Sequence, residues 1–325
     1  MEGEKAVDPP GIFDYHRSMK TPKYLVCILA CLLMLQPLAA NAAAIDDSPQ
    51  RDHDAQTRAS QSESSEGEDT KAADPKLGKR RFFRDFWQDE KRIWTSPFRA
   101  KPKDLLLWGG LLAVTGVMIH NDEAIYRDIK DFQAKHEWAD KATPFFSHMA
   151  QGYPFALAGA IWITGALTRN EHAKETGYLA LQAMLHSFIV VQVVKHLTGR
   201  ARPSAFNGED RWAGPAGFFK RYEAGKWSHY DAMFSGHTIT IWSLATVLAH
   251  QYRKTVVVPV LAYSLATLGG LATITDDLHW LSDVVLGAAI GYAISRFVIK
   301  RRSRRFQVTP VIHRGGVGIG LRFVF

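Results

Sequence analysis

Six apolar segments, at 105–119, 154–167, 178–194, 239–249, 256–274 and 281–298, constrain this chain more than any other feature. None alternates apolar and polar residues as a half-buried strand does, so the fold class is all-α, a helical bundle of about six core helices. Several segments fall short of the ~20 residues that cross a bilayer comfortably. Two architectures follow. The main reading is a membrane-embedded bundle; the alternative is an exported soluble bundle with the same helices buried. Charge placement favours the membrane. Arg169 and Lys174 separate the second and third segments, Arg253 and Lys254 the fourth and fifth, and Lys300 to Arg305 follow the sixth. Cationic loops stay on the cytoplasmic side, which puts the loops after the third and fifth segments outside.

The N-terminal part is organised differently. Residues 24–40 form an apolar run preceded by Lys20 and Lys23 and closed by Ala40-Asn41-Ala42, the three parts of a secretory signal. Residues 1–43 are therefore read as a signal peptide, or as an uncleaved anchor helix. Residues 1–18 fit no part of the pattern, and translation from Met19 gives a cleaner signal. Cys27 and Cys31 lie in this run, and with only these 2 Cys a disulfide scaffold or a Cys-based zinc site is excluded. An export signal conflicts with six spans and outward third and fifth loops. Either 105–119 does not cross fully, or 24–40 does not act as an export signal.

Residues 44–79 are polar and lack apolar periodicity, a disordered linker by composition. At 80–103, Phe82, Phe83, Phe86, Trp87 and Trp94 alternate with Arg and Lys. This stretch reads equally as a helix in the membrane interface or as one packed on the bundle. The net charge of +8 permits an anionic partner, but no nucleic-acid motif accompanies it, so no nucleic-acid partner is expected. The helical domain spans 104–305. Residues 306–325 alternate around His313-Arg314-Gly315-Gly316 and read as a β-hairpin.

Three polar clusters sit at segment ends. Lys195, Arg200, Arg202 and Pro203 follow the third segment. Ser235-Gly236-His237 precedes the fourth, and His279 to Asp283 lies between the fifth and sixth. All fall on one side of the bundle. Lys195 and Arg202 supply fixed positive charge, with the Arg fork matched to phosphate oxygens. Ser235 and Gly236 offer a hydroxyl and backbone N–H groups at a helix start. His237 and His279 can divide general-acid and nucleophile roles. Asp283, four residues after His279, can hold one ring nitrogen protonated. This chemistry needs no metal. Taken singly, each part has a plainer meaning: a snorkelling Lys, a helix cap, a surface His/Asp pair.

Lys-x6-Arg-Pro, Ser-Gly-His and His-x3-Asp together resemble the signature of the type 2 phosphatidic acid phosphatase and vanadium haloperoxidase superfamily, over about residues 105 to 298. The resemblance implies an all-α phosphatase acting without a cofactor on a lipid phosphate, pyrophosphate or related phosphomonoester. It implies His279 as nucleophile and phosphohistidine, Asp283 as its orienter and His237 as proton donor. Lys195, Arg202, Ser235 and Gly236 then hold the phosphoryl oxygens. The site would face the periplasm from a bacterial-type inner membrane. Alternatives are a haloperoxidase with bound vanadate and a catalytically impaired lipid-binding relative. Two positions depart from the pattern. Phe234 stands for the usual Pro, and Ala272-Thr273 for the usual Ser-Arg, so one guanidinium is missing. If Thr273 marks a vacant Arg site, Thr273→Arg should raise activity about tenfold or more. If the pocket has repacked with Arg200 turned inward, the same change should lower it.

Overall fold

The computed structural model describes residues 75–208, 211–217, 229–313 and 316–323. The signal or anchor segment, both cysteines and most of the polar linker lie outside the described residues. Among the described residues eight α-helices follow in order: α1 (Pro75–Trp94), α2 (Pro102–Lys135), α3 (Glu137–Met149), α4 (Tyr153–Leu167), α5 (Glu171–Thr198), α6 (Gly236–Gln251), α7 (Val257–Thr275) and α8 (Leu281–Arg305). Strands β1 (Phe306–His313) and β2 (Gly316–Phe323) pair antiparallel, Phe306 opposite Phe323 and His313 opposite Gly316.

The helices α5, α6 and α8 form the centre, with α4 on α5 and α7 on α6. Close approach of α8 to α6 depends on Gly291. A Cβ there would sit 2.6 Å from the carbonyl oxygen of Ile239, a distance backbone cannot relieve cheaply. Small hydroxyls line the same seam. Ser187 and Ser243 share a hydrogen bond of 2.9 Å, and Ser295 Oγ donates to the carbonyls of Gly291 and Ser243. The outer surface is apolar instead: Leu106 is 81% exposed and Leu167 80%. Polar groups inside and apolar side chains outside is the inverse of a water-soluble bundle and the arrangement of a membrane protein. Four helices, α2, α5, α7 and α8, are long and apolar enough to cross a membrane. The segment 105–119, which one of the two readings kept from crossing fully, lies in the 34-residue α2, a helix long and apolar enough to cross a membrane.

Helix α1 packs on the body of the bundle. Two of its acidic residues point inward: Asp89 pairs with Arg301 at 2.9 Å, and Glu90 accepts from His186 Nδ1 at 2.7 Å beneath the stacked ring of Phe86. Trp87, 73% exposed, and Phe83 face outward. The helix thus packs on the bundle through its carboxylates, with Phe83 and Trp87 left exposed.

Candidate active site

The end of α5 delivers the first cluster. Asn170 caps the start of α5 by accepting from the Ala173 N–H, and Gly199 ends it in the left-handed conformation at φ 52°. Any side chain at Gly199 would also meet the Gly214 carbonyl oxygen at 2.3 Å from Cβ. Beyond this turn the chain extends through Arg200, Ala201 and Arg202. Ala201 N–H donates to Arg211 and Arg202 N–H to His229, which draws the distant loop strands to the end of α5.

Lys195 and Arg202 lie together. Both bind one carboxylate, that of Asp231: Arg202 Nε and Nη2 donate to it at 2.7 and 3.1 Å, and Lys195 Nζ at 3.4 Å. Burial opposes the charge of Asp231, but Lys195 and Arg202 outweigh it and hold the carboxyl below the ordinary range. Lys195 Nζ is also 3.6 Å from the place a Cβ on Gly236 would take, so the ammonium sits against the N-terminus of α6. Ser235 caps that helix: its Oγ accepts from Thr238 N–H at 3.2 Å and from Thr238 Oγ1 at 2.9 Å. The Ser235 proton is not used by either bond.

His237 and His279 meet, with Nδ1 of the first 3.3 Å from Nε2 of the second. His279 is wholly buried, and its Nδ1 lies 2.8 Å from the carbonyl oxygen of Ala232. A carbonyl only accepts, so Nδ1 carries the proton and Nε2 keeps its lone pair. Burial, then Lys195 and the neighbouring His237 and Arg202, push the His279 pKa well below its ordinary value. Both the shift and the Nδ1 hydrogen bond favour the neutral ring with Nε2 unprotonated.

The orienting role expected for Asp283 is filled by that backbone carbonyl instead. Asp283 turns the other way: Oδ1 accepts from Arg200 Nη1 at 2.6 Å and Oδ2 from Trp280 N–H at 3.0 Å. The i, i+4 argument fails because His279 precedes α8, which starts at Leu281, and the two residues do not share a helix. Arg200 is likewise not a phosphate ligand. It is fully buried between the rings of Trp212 and Trp280, with Nη2 on Asp122 at 2.6 Å and Nη1 on both Ser282 and Asp283. Two carboxylates outweigh the cost of burial and raise its pKa. Thr273 is also fully buried; Oγ1 donates to the Gly270 carbonyl, and its own carbonyl accepts from the N–H groups of Leu278 and His279. Among the described residues Thr273 fills its own place, and Arg200, committed to Asp122 and Asp283, does not supply the missing guanidinium.

The loop carrying His279 is pinned from α2 and α3. Tyr126 OH and Lys130 Nζ hold Asp277, and Ser147 Oγ donates to Asp276 at 2.7 Å. Sequence reasoning missed Asp231, Asp122 and the Ala232 carbonyl. Asp231 stands four residues before Ser235 without a motif, and Asp122 is 78 residues from its partner Arg200. Among the described residues, no group of three or more His, Cys, Asp or Glu side chains is spaced to hold a metal ion.

Residues 176–307 match the model of the PAP2 superfamily. A 61-residue stretch is 36% identical to the Lipid A 1-phosphatase of Porphyromonas gingivalis, covering 18% of this chain and 14% of that protein. The chain thus matches only a small part of that relative's length. Two solved structures are similar. The crystal structure of Aquifex aeolicus LpxE is 23% identical with a TM-score of 0.42, over 55% of this chain and 94% of that one. A transmembrane PAP2 type phosphatidylglycerolphosphate phosphatase from Bacillus subtilis is 18% identical with a TM-score of 0.46, over 63% of this chain and 96% of that one.

Proposed function

We propose that this protein is a metal-independent phosphatase that hydrolyses a lipid phosphate or pyrophosphate through a phosphohistidine on His279. The observation that carries the reading is the fixed tautomer of His279, whose unprotonated Nε2 faces His237 beside the Lys195 and Arg202 cations. In the first step Nε2 attacks phosphorus and the bond to the leaving oxygen breaks; burial, Lys195 and Arg202 hold the His237 pKa down to about 4 in the free site, so His237 takes up a proton as the phosphate anion binds and delivers it to that oxygen. Water then attacks the phosphohistidine, gives its proton to His237, and His279 departs neutral. Lys195, Arg202, the Ser235 hydroxyl and the Gly236 N–H stabilise the charge on the transferring group. The P. gingivalis relative is by name a lipid A phosphatase, and four helices of this chain are long and apolar enough to cross a membrane, the phase that holds lipid phosphates. Both support a lipid substrate.

The test is phosphate release from a panel of lipid phosphates and pyrophosphates by the detergent-solubilised full chain with EDTA present. Release is expected to persist in EDTA and to fall ~10²-fold or more in Lys195→Ala and Arg202→Ala. Loss of all activity in EDTA, or bromide oxidation with vanadate in place of phosphate release, would replace the reading.

The site is proposed to open to the periplasm of a bacterial-type inner membrane, because the basic turns at 169–174 and 253–254 and the basic end of α8 lie at the opposite end of the bundle. In spheroplasts, a tag after Phe325 should resist external protease while a protease site placed in the 204–233 loop is cut. The reverse pattern would put catalysis in the cytoplasm.

A further inference from the structure

Asp231 has no part in the reaction as written, yet its carboxylate occupies the strongest cationic position of the site. Two oxygens, one fork from Arg202 and one ammonium from Lys195 form the contact set that two phosphoryl oxygens would make. The carboxylate is held there by its backbone. On one side of Asp231 the His229 carbonyl accepts from Arg202 N–H at 2.9 Å; on the other Ala232 N–H donates to the Arg200 carbonyl at 3.0 Å. The main chain is therefore fixed alongside Arg202, and side-chain rotation alone decides whether the carboxylate fills the cradle.

We propose that Asp231 is an internal stand-in for the phosphoryl group, a carboxylate that competes with phosphate for Lys195 and Arg202 and so sets the affinity of the site. The proposal rests on the phosphatase reading above. If Asp231 stays in place when phosphate binds, its charge repels the incoming anion. If it swings out, its ion pairs are lost. Either route weakens phosphate binding, and both favour product release. Because the two cations keep Asp231 ionised, acidification in the ordinary range does not remove the competition.

The experiment is titration calorimetry of inorganic phosphate against the detergent-solubilised full chain, for wild type, Asp231→Asn and Asp231→Ala, with KM and kcat measured on one lipid phosphate. Both variants are expected to bind phosphate at least about tenfold more tightly, since a charge-assisted competitor is removed. KM should fall with Kd, and kcat should not rise, because slower product release limits it. Equal or weaker phosphate binding in both variants would overturn the proposal and make Asp231 a positioning residue for Arg202. If wild type still turns over lipid phosphate in that case, the phosphatase reading stands alone. Absence of both phosphate binding and turnover in all three proteins would overturn the cradle and the phosphatase reading together.

Discussion

His279→Ala is expected to lower kcat on the order of 10⁴-fold or more, because it removes the nitrogen proposed to form the covalent intermediate. His237→Ala is expected to lose ~10²–10⁴-fold with a lipid phosphate, the usual range for a missing general acid. The two should part company on a substrate with a good leaving group. A nitrophenolate departs without protonation, so His237→Ala should recover much of its rate on nitrophenyl phosphate in the bond-breaking step, whereas His279→Ala should recover none. Steady-state and single-turnover rates on the two substrates provide the check. Equal losses for both variants on both substrates would mean the two rings do not divide the work as the geometry indicates.

Arg200→Ala is expected to destabilise the fold by ~3–5 kcal/mol, the range for breaking a buried ion pair. The cause is what remains: Asp122 and Asp283, both buried, would face one another without the cation between them. Activity should fall with stability, because Ser282, Asp283 and the Trp280 N–H all belong to the same network at the start of α8, next to His279. Thr273→Arg is expected to lower activity as well. Overpacking a filled site costs ~1–3 kcal/mol before any charge is counted, and Thr273 has no exposed surface through which a guanidinium could escape. Thermal unfolding and kcat/KM for each variant test both statements. A gain of activity in Thr273→Arg, with Arg200→Ala close to wild type, would show that a vacant phosphate subsite lies at Thr273 after all.

The helices and the convergence of the three clusters were legible because both depend on local pattern. Apolar runs mark helices, and polar residues at their ends mark one face of the bundle. Lys195, Arg202, Ser235, Gly236, His237 and His279 duly fall at that end of the structure. What the pattern could not show is partnership. Spacing suggested that Asp283 serves His279, but a helix boundary at Leu281 separates them, and Asp283 serves Arg200. Arg200 reads as one more phosphate-binding cation until Asp122, far away in α2, claims it. A main-chain carbonyl carries no sequence signal, so the role of Ala232 was invisible. The N-terminal half of α2 shows a similar limit. Its apolar stretch marks a span, but the sequence does not show that the same helix runs on past it and carries Asp122, Tyr126 and Lys130 to the site.

The covalent intermediate on His279 is the claim on which the mechanism turns. The most direct measurement is rapid quench of the full chain with a substrate labelled in its phosphoryl group, followed by peptide mapping of the bound label. The account predicts an acid-labile, alkali-stable label on His279, formed at least as fast as turnover and absent from His279→Ala. Turnover at the normal rate with no labelled enzyme, or with label on any other residue, would contradict it.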